Sequence, residues 1–228
     1  MQANSSPVTS SQQGIHEGLS KAVERHAASV FRKPVMPYNR AAFEVAMAAW
    51  RAAGSAPLIL DAGCGVGLST LNLAAQYPQH FVIGVDQSAD RIARQTEWPG
   101  ALPANCIRLR ADLIDFWRLM LSEGIHPERH YVLYPNPWPK KAQLARRWHG
   151  HPVFPTMVAL GGYFECRSNW QLYIEECAAA LRQLGAGEVS CEAYVPLPTP
   201  ITPFEQKYLA SGHALWRCRV QLPSSRLP

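Results

Sequence analysis

The chain has 228 residues, 47% of them apolar, enough to bury a full core in one large domain with additions. No stretch approaches the roughly eighteen consecutive apolar residues of a membrane span, and the polar N-terminus does not read as a signal peptide. The formal net charge of +5 and pI of about 9.0 favour an anionic partner.

Residues 1 to about 14 are polar and read as a disordered tail. A helical extension over 15–54 is expected next. Leu19, Val23, Ala27 and Val30 mark one face of a first helix that also carries Lys21, Arg25 and His26. Phe31 to Asn39, with Arg32, Lys33, Pro34 and Pro37, reads as a basic, extended linker. Phe43, Met47 and Trp50 then trace a second helix. These helices suit packing, a lid over a ligand, or an RNA-contacting extension, with packing preferred.

The organising stretch is L-I-L-D-A-G-C-G-V-G-L, from Leu58 to Leu68. A buried parallel strand ends in Asp61, three glycines follow (Gly63, Gly65, Gly67), and a helix opens at Leu68. Glycine lets the backbone turn sharply and pass close to a ligand. A second strand, Phe81 to Val85, ends in Asp86, where a carboxylate can accept hydrogen bonds from both hydroxyls of a ribose. Dinucleotide enzymes prefer G-x-G-x-x-G, with pyrophosphate on the helix N-terminus. Here the third glycine comes one residue early, and an acid precedes the turn. That carboxylate repels a pyrophosphate but suits a cation. S-adenosylmethionine carries a sulfonium and an ammonium, so D-x-G-x-G-x-G resembles motif I of class I methyltransferases. The bland alternative is a glycine turn with no ligand.

Ser88 reads as the cap of a helix from Ala89 to about Glu97, broken at Trp98-Pro99-Gly100. Cys106 to Arg110 is a third strand. Asp112 behind it either accepts the adenine amino group or caps the helix carrying Phe116 and Leu119. Tyr131 to Tyr134 is a fourth strand, running into the rigid loop Pro135-Asn136-Pro137-Trp138-Pro139. Lys140, Lys141, Arg146, Arg147, His149 and His151 follow with no acid among them, beside Trp138 and Trp148. Such a cluster suits phosphate binding with base stacking, the competing reading being a solvated basic face.

A helix over Pro152 to Leu160 stops at Gly161-Gly162, and Tyr163 to Arg167 is a fifth strand ending at Ser168-Asn169. Trp170 to Leu184 traces a helix face, and Glu188 to Val195 a strand. After the proline-rich loop Pro196 to Pro203, Thr202-Pro203-Phe204-Glu205 reads as a capping box opening a helix that ends near Gly212. Ala214 to Leu222 is the last strand, and 223–228 a tail. Six scattered cysteines without a C-x-x-C pair argue against zinc or a disulfide framework, and for a reducing cytoplasm. The alternation from Leu58 to Leu181 predicts an α/β fold. The expected form is a Rossmann-like class I methyltransferase domain over 55–222, with a mostly parallel seven-stranded sheet and helices on both faces.

Three further motifs, P-N-P-W-P-K-K (Pro135–Lys141), S-N-W-Q-L-Y (Ser168–Tyr173) and T-P-F-E-Q-K (Thr202–Lys207), resemble those of the bacterial tRNA (guanine-N7)-methyltransferases. That family reads P-D-P-W-x-K, T-D-W and T-x-F-E at these places, and the resemblance covers roughly residues 56 to 222. It implies an S-adenosylmethionine-dependent enzyme acting on a tRNA guanine. It implies cofactor contacts at Asp61, Gly63, Gly65, Gly67, Asp86, Asp112 and Asn136, the last also as the catalytic position. It implies substrate contacts at Lys140, Asn169, Thr202, Phe204 and Glu205. Asn136 and Asn169 stand where the family has aspartate, and Ser168 where it has threonine. Two other readings remain: Asn-Pro-aromatic loops also resemble those of amino-methyltransferases, and the two missing acids suit a binding protein that transfers no methyl group.

Overall fold

A computed structural model describes residues 4–94 and 96–223. Its seven strands form one mostly parallel sheet of order β3-β2-β1-β4-β5-β7-β6. In chain order they are β1 (Leu58–Ala62), β2 (Phe81–Asp86), β3 (Cys106–Arg110), β4 (Arg129–Leu133), β5 (Gly162–Ser168), β6 (Ser190–Tyr194) and β7 (Leu215–Leu222). The helices are α1 (Leu19–Ala27), α2 (Pro37–Ala52), α3 (Leu68–Gln76), α4 (Ala89–Ala93), α5 (Leu113–Ser122), α6 (Phe154–Ala159), α7 (Gln171–Gln183) and α8 (Pro203–Ala210). The expected α/β fold is the one observed. No helix among the described residues is long and apolar enough to cross a membrane.

The chain divides into two compact units, residues 34–133 and residues 1–33 with 134–228. In the first, β2 and β4 flank β1 and β3 flanks β2, all parallel. Both faces of β1 and β2 are covered, which is why their sequences are apolar runs rather than alternations. Helix α2 belongs to this unit. Phe43 meets Phe116 of α5 edge-on, and the fully buried Asn39 donates to Asp115 Oδ2 at 2.6 Å. The expected helix to Glu97 is shorter: α4 ends at Ala93 with none of its residues buried, and Gln95 lies outside the described residues.

In the second unit β7 runs antiparallel between β5 and β6. Helix α1 buries Leu19, Ala22, Val23 and His26 here, so the two N-terminal helices serve different units. The basic stretch after β4 forms two short 3-10 turns, Lys141–Arg146 and Trp148–Gly150. The tail expected over 1–14 is tied down from Ser5 onward. Ser5 N–H donates to Ser211 Oγ, Ser10 Oγ to the Pro139 carbonyl, and Gln12 is buried. Of the tail expected over 223–228, only Pro223 lies within the described residues.

The strongest polar tie in this unit is Glu176 of α7, fully buried. Its Oε2 accepts from Arg147 Nη1 at 2.5 Å and His149 Nε2 at 2.9 Å. Its Oε1 accepts from Gln12 Nε2 at 2.5 Å and the His16 N–H at 2.8 Å. Burial pushes the Glu176 pKa up, but the His149 bond, the Arg147 charge and the His16 N–H outweigh it and hold the group at about 2. Burial lowers the His149 pKa, against the opposing hydrogen bond and charge of Glu176.

These groups make the fold acid-labile. Burial pushes His130 of β4 down to about 3, and its Nε2 accepts from Trp117 Nε1 at 3.1 Å. A histidine neutral when folded and protonated when unfolded contributes full stability above about pH 6.5, lost as pH falls. Glu176 adds a second loss as pH falls from about 4.5 towards 2. Urea unfolding should therefore give a stability lower by about 2 kcal/mol at pH 5 than at pH 7 from His130 alone. His130→Gln should shrink that difference; an equal difference in the variant rejects the assignment.

Candidate functional site

In the unit of residues 34–133, the glycine loop lies beyond the carboxyl ends of β1 and β2, at the β1–β4 reversal of strand order where open α/β sheets bind ligands. Gly63 N–H and Cys64 N–H both donate to the Val85 carbonyl, closing the loop onto β2. Gly65 (φ +58°) and Gly67 (φ +87°) occupy left-handed backbone that side chains rarely adopt. Nothing lies within 4 Å of where a Gly65 Cβ would stand, so that side of the loop is open. At Gly67 a Cβ would fall 2.1 Å from Arg108 Cδ.

The two acids are held by the loop they frame. Asp61, 1% exposed, accepts from Ser69 Oγ at 2.6 Å and Thr70 Oγ1 at 2.7 Å, both on Oδ2. Asp86 accepts the Gly65 N–H at 3.0 Å on Oδ2 and the Ser88 N–H at 2.8 Å on Oδ1, with Arg91 Nη1 3.5 Å away. Burial, then the charges of Asp61 and Asp86, push the Cys64 thiol well up, while Thr70 and Arg108 offset this only in part. Two buried carboxylates, Asp61 and Asp86, thus frame the loop. A sulfonium or ammonium fits it and a pyrophosphate does not, so the residues suit S-adenosylmethionine rather than a dinucleotide.

Asp112 caps α5, accepting from Ile114 N–H at 2.9 Å, and its own N–H donates to Asn39 Oδ1. Two residues at this site gave no sign in the sequence. Arg108 of β3 donates to the Val66 carbonyl and to Thr96 Oγ1, pinning the loop from below. Asn39 joins α2 to the Asp112 backbone. Only the strand register, which pairs Arg108 with Gly84, brings the first of these to the loop.

In the other unit, Tyr134 (φ +52°) and Trp138 (φ +45°) are in left-handed backbone on either side of Asn136. Non-glycine residues held this way cost on the order of 1–3 kcal/mol each and cluster at functional sites. Asn136 and Lys140 are exposed, and Arg146 stacks 4.7 Å over the Trp138 ring. Asn169 Nδ2 donates to His213 Nδ1 at 3.1 Å, and His213 Nε2 donates to the Ser5 carbonyl. Tyr208 stacks between His213 and Phe204, and Phe204 is 43% exposed.

Two expectations change here. Arg147 and His149 do not belong to a cationic surface, because both are fully buried on Glu176 and Arg147 also lies over Trp170. Glu205, expected to contact substrate, is fully buried too. It accepts from Arg167 Nη1 at 2.7 Å, Tyr134 OH at 3.1 Å, Tyr194 OH, and the Ile201 N–H at 2.7 Å. Thr202 Oγ1 caps α8 through the Glu205 N–H at 2.9 Å, so of Thr202, Phe204 and Glu205 only Phe204 is exposed.

A family described as "Putative methyltransferase" matches residues 55–218. A tRNA (guanine-N(7)-)-methyltransferase of Thiobacillus denitrificans is 30% identical over 171 residues, 71% of this chain and 73% of that protein. The chain belongs to the tRNA (guanine-N7)-methyltransferase family. Another member, from Aromatoleum aromaticum, is 28% identical over 209 residues, 87% of this chain and 77% of its own. The fold is also that of a 16S rRNA (adenine(1408)-N(1))-methyltransferase from Catenulisporales acidiphilia, 17% identical with a TM-score of 0.51. That structure, solved with cosubstrate SAM, is matched over 92% of its chain and 78% of this one. As a member of this methyltransferase family, the chain takes its methyl group from S-adenosylmethionine.

Two substitutions test the assignments within the family frame. Asp86→Ala removes the acceptor that fixes Gly65 and should weaken S-adenosylmethionine binding by roughly 1.5–3 kcal/mol in calorimetry. Unchanged affinity in the folded variant counts against it. Glu205→Gln removes a buried partner of Arg167 and should lower unfolding stability by roughly 2–3 kcal/mol. Turnover per folded molecule should stay near that of the unaltered enzyme; a large loss of turnover at unchanged stability would return Glu205 to the substrate.

Proposed function

We propose that this enzyme methylates N7 of a guanine in tRNA, in the variable loop. The observation that carries the reading is the strained loop from Tyr134 to Trp138, which holds an exposed Asn136 beside the exposed Lys140. The loop's resemblance to the family's substrate loop supports it, as do the relatives' printed names.

The chemistry asks little proton work of the protein. S-adenosylmethionine supplies an electrophilic methyl group on a sulfonium. Guanine N7 carries a free lone pair, so no base has to remove a proton before attack. What remains is alignment, together with electrostatics around the reacting atoms. In this reading Asp61, Asp86, Asp112 and the glycines at 63, 65 and 67 hold the cofactor. Asn136 and Asn169 orient the base as amides. Because His213 occupies Asn169 Nδ2, the amide meets guanine's N–H edge through Oδ1. Phe204 offers an exposed ring for stacking, while Thr202 and Glu205 position that ring through the start of α8. Lys140, Lys141 and Arg146 meet phosphate.

Incubation with labelled S-adenosylmethionine and bulk tRNA, followed by digestion to nucleosides, should release labelled 7-methylguanosine. Lys140→Ala should weaken tRNA binding and lower the slope of log affinity against log salt by about 1. A label on an exocyclic amine transfers the assignment to the Asn-Pro amino-methyltransferase reading. No label at all, with both ligands bound, leaves a non-catalytic binding protein.

A further inference from the structure

A cavity of about 400 Å³ opens between α1 and the 3-10 turn Lys141–Arg146, on the unit of residues 1–33 and 134–228. Its apolar floor includes Ala22 and Leu144, and its rim carries Lys21, Arg25, Lys141 and His16. No carboxylate lines it. The two cations on α1 are one turn apart, exposed, and among the described residues form no ion pair. The acids nearest in sequence, Glu17 and Glu24, do not line the cavity.

The walls of this groove are fastened in place. The segment leading into α1 is held by Glu176 through Gln12 and the His16 N–H, and the end of the 3-10 turn is held by the same carboxylate through Arg147. Gly150 passes so close to the Leu144 carbonyl that a Cβ would stand 2.3 Å from it. Buried Arg147 thus fixes the backbone that displays Lys141. A rigid groove with three cations around an apolar floor matches a sugar–phosphate backbone, with each cation near one phosphate and the floor against sugar or base. An acidic peptide would use the cations but has no need of the apolar floor.

We infer that the groove between α1 and the 3-10 turn binds the phosphate backbone of the RNA substrate, apart from the loop that receives the target base. The inference rests on the reading that the substrate is RNA and adds a second contact region to it.

The test is the double variant Lys21→Ala/Arg25→Ala in the full chain, with Lys141→Ala as a variant on the opposite wall. Binding of bulk tRNA is measured by fluorescence anisotropy at several salt concentrations, alongside S-adenosylmethionine binding by calorimetry. The double variant should lose roughly tenfold or more in tRNA affinity at low salt, and its salt slope should fall by about 1.5. Lys141→Ala should lower the slope by roughly half as much, and cofactor affinity should not move in either variant. Equal tRNA affinity and slope in all three proteins overturns the groove, even where the unaltered enzyme makes 7-methylguanosine. Loss of tRNA binding in the Lys21→Ala/Arg25→Ala variant upholds the groove even if the product is not 7-methylguanosine, in which case only the reaction assignment falls. Polyglutamate binding to the unaltered protein but not to the variants, with tRNA affinity equal in all of them, assigns the groove to an acidic protein and overturns it for RNA.

Discussion

One buried carboxylate sets the shape of the second unit. Glu176 collects a guanidinium, an imidazole, an amide and a backbone N–H that come from two separate stretches of chain, 12–16 and 147–149. Removing any one partner would strand buried charge or polarity, which costs several kcal/mol, so the stretches hold their places together. The consequence reaches beyond stability. Short 3-10 turns have weak internal hydrogen bonding and seldom persist alone. Here the turns from Lys141 to Gly150 are anchored because Arg147 and His149 point inward to Glu176. The cations left outside are then displayed from a fixed backbone.

The glycine loop solves a different problem by related means. Two carboxylates buried near one another at adjacent strand ends would repel if nothing met them. Each is met by its own donors: hydroxyls of α3 for Asp61, and loop N–H groups with Arg91 for Asp86. None of these donors except Arg91 carries a full charge, so the acids are ordered chiefly by dipoles and not by ion pairs. A loop held by full ion pairs would have no field left for a cationic ligand. The same logic places Arg108 on the Val66 carbonyl, where it braces the turn and only partly offsets the acids.

Much of this was legible in the residues. Apolar runs ending in Asp61 and Asp86 gave the parallel strands and the loop between them, because burial on both faces leaves no other pattern. The glycines gave the turn, because only they take its left-handed backbone cheaply. The buried status of Arg147 and Glu205 was hidden, since charge in a sequence does not say whether a partner waits in the fold. Glu176 lies 29 residues from Arg147. Arg167 lies 38 from Glu205. Neither spacing follows a helical or strand period, so no local pattern pairs them. The pinning of residues 5–12 was missed for the same reason: polar, serine-rich sequence reads as tail until distant acceptors such as Pro139 and Glu176 are in place.

The substitution of amides for two acids fits N7 chemistry better than it would fit an acid–base reaction. A general base must carry charge or accept a proton, and neither Asn136 nor Asn169 does so near neutral pH. An incoming N7 lone pair needs only to be aimed, and an amide oxygen aims guanine's N–H edge through the same acceptor geometry as a carboxylate. On the proposed reading, what the amides forgo is stabilisation of the positive charge that grows on the purine. Glu205 does not replace that charge, since it is already shared among Arg167 and two tyrosines in a closed network. On that reading alignment is the main contribution from this side. That raises the value of a rigid Tyr134–Trp138 loop, and it gives a reason for the strained backbone at both of its ends.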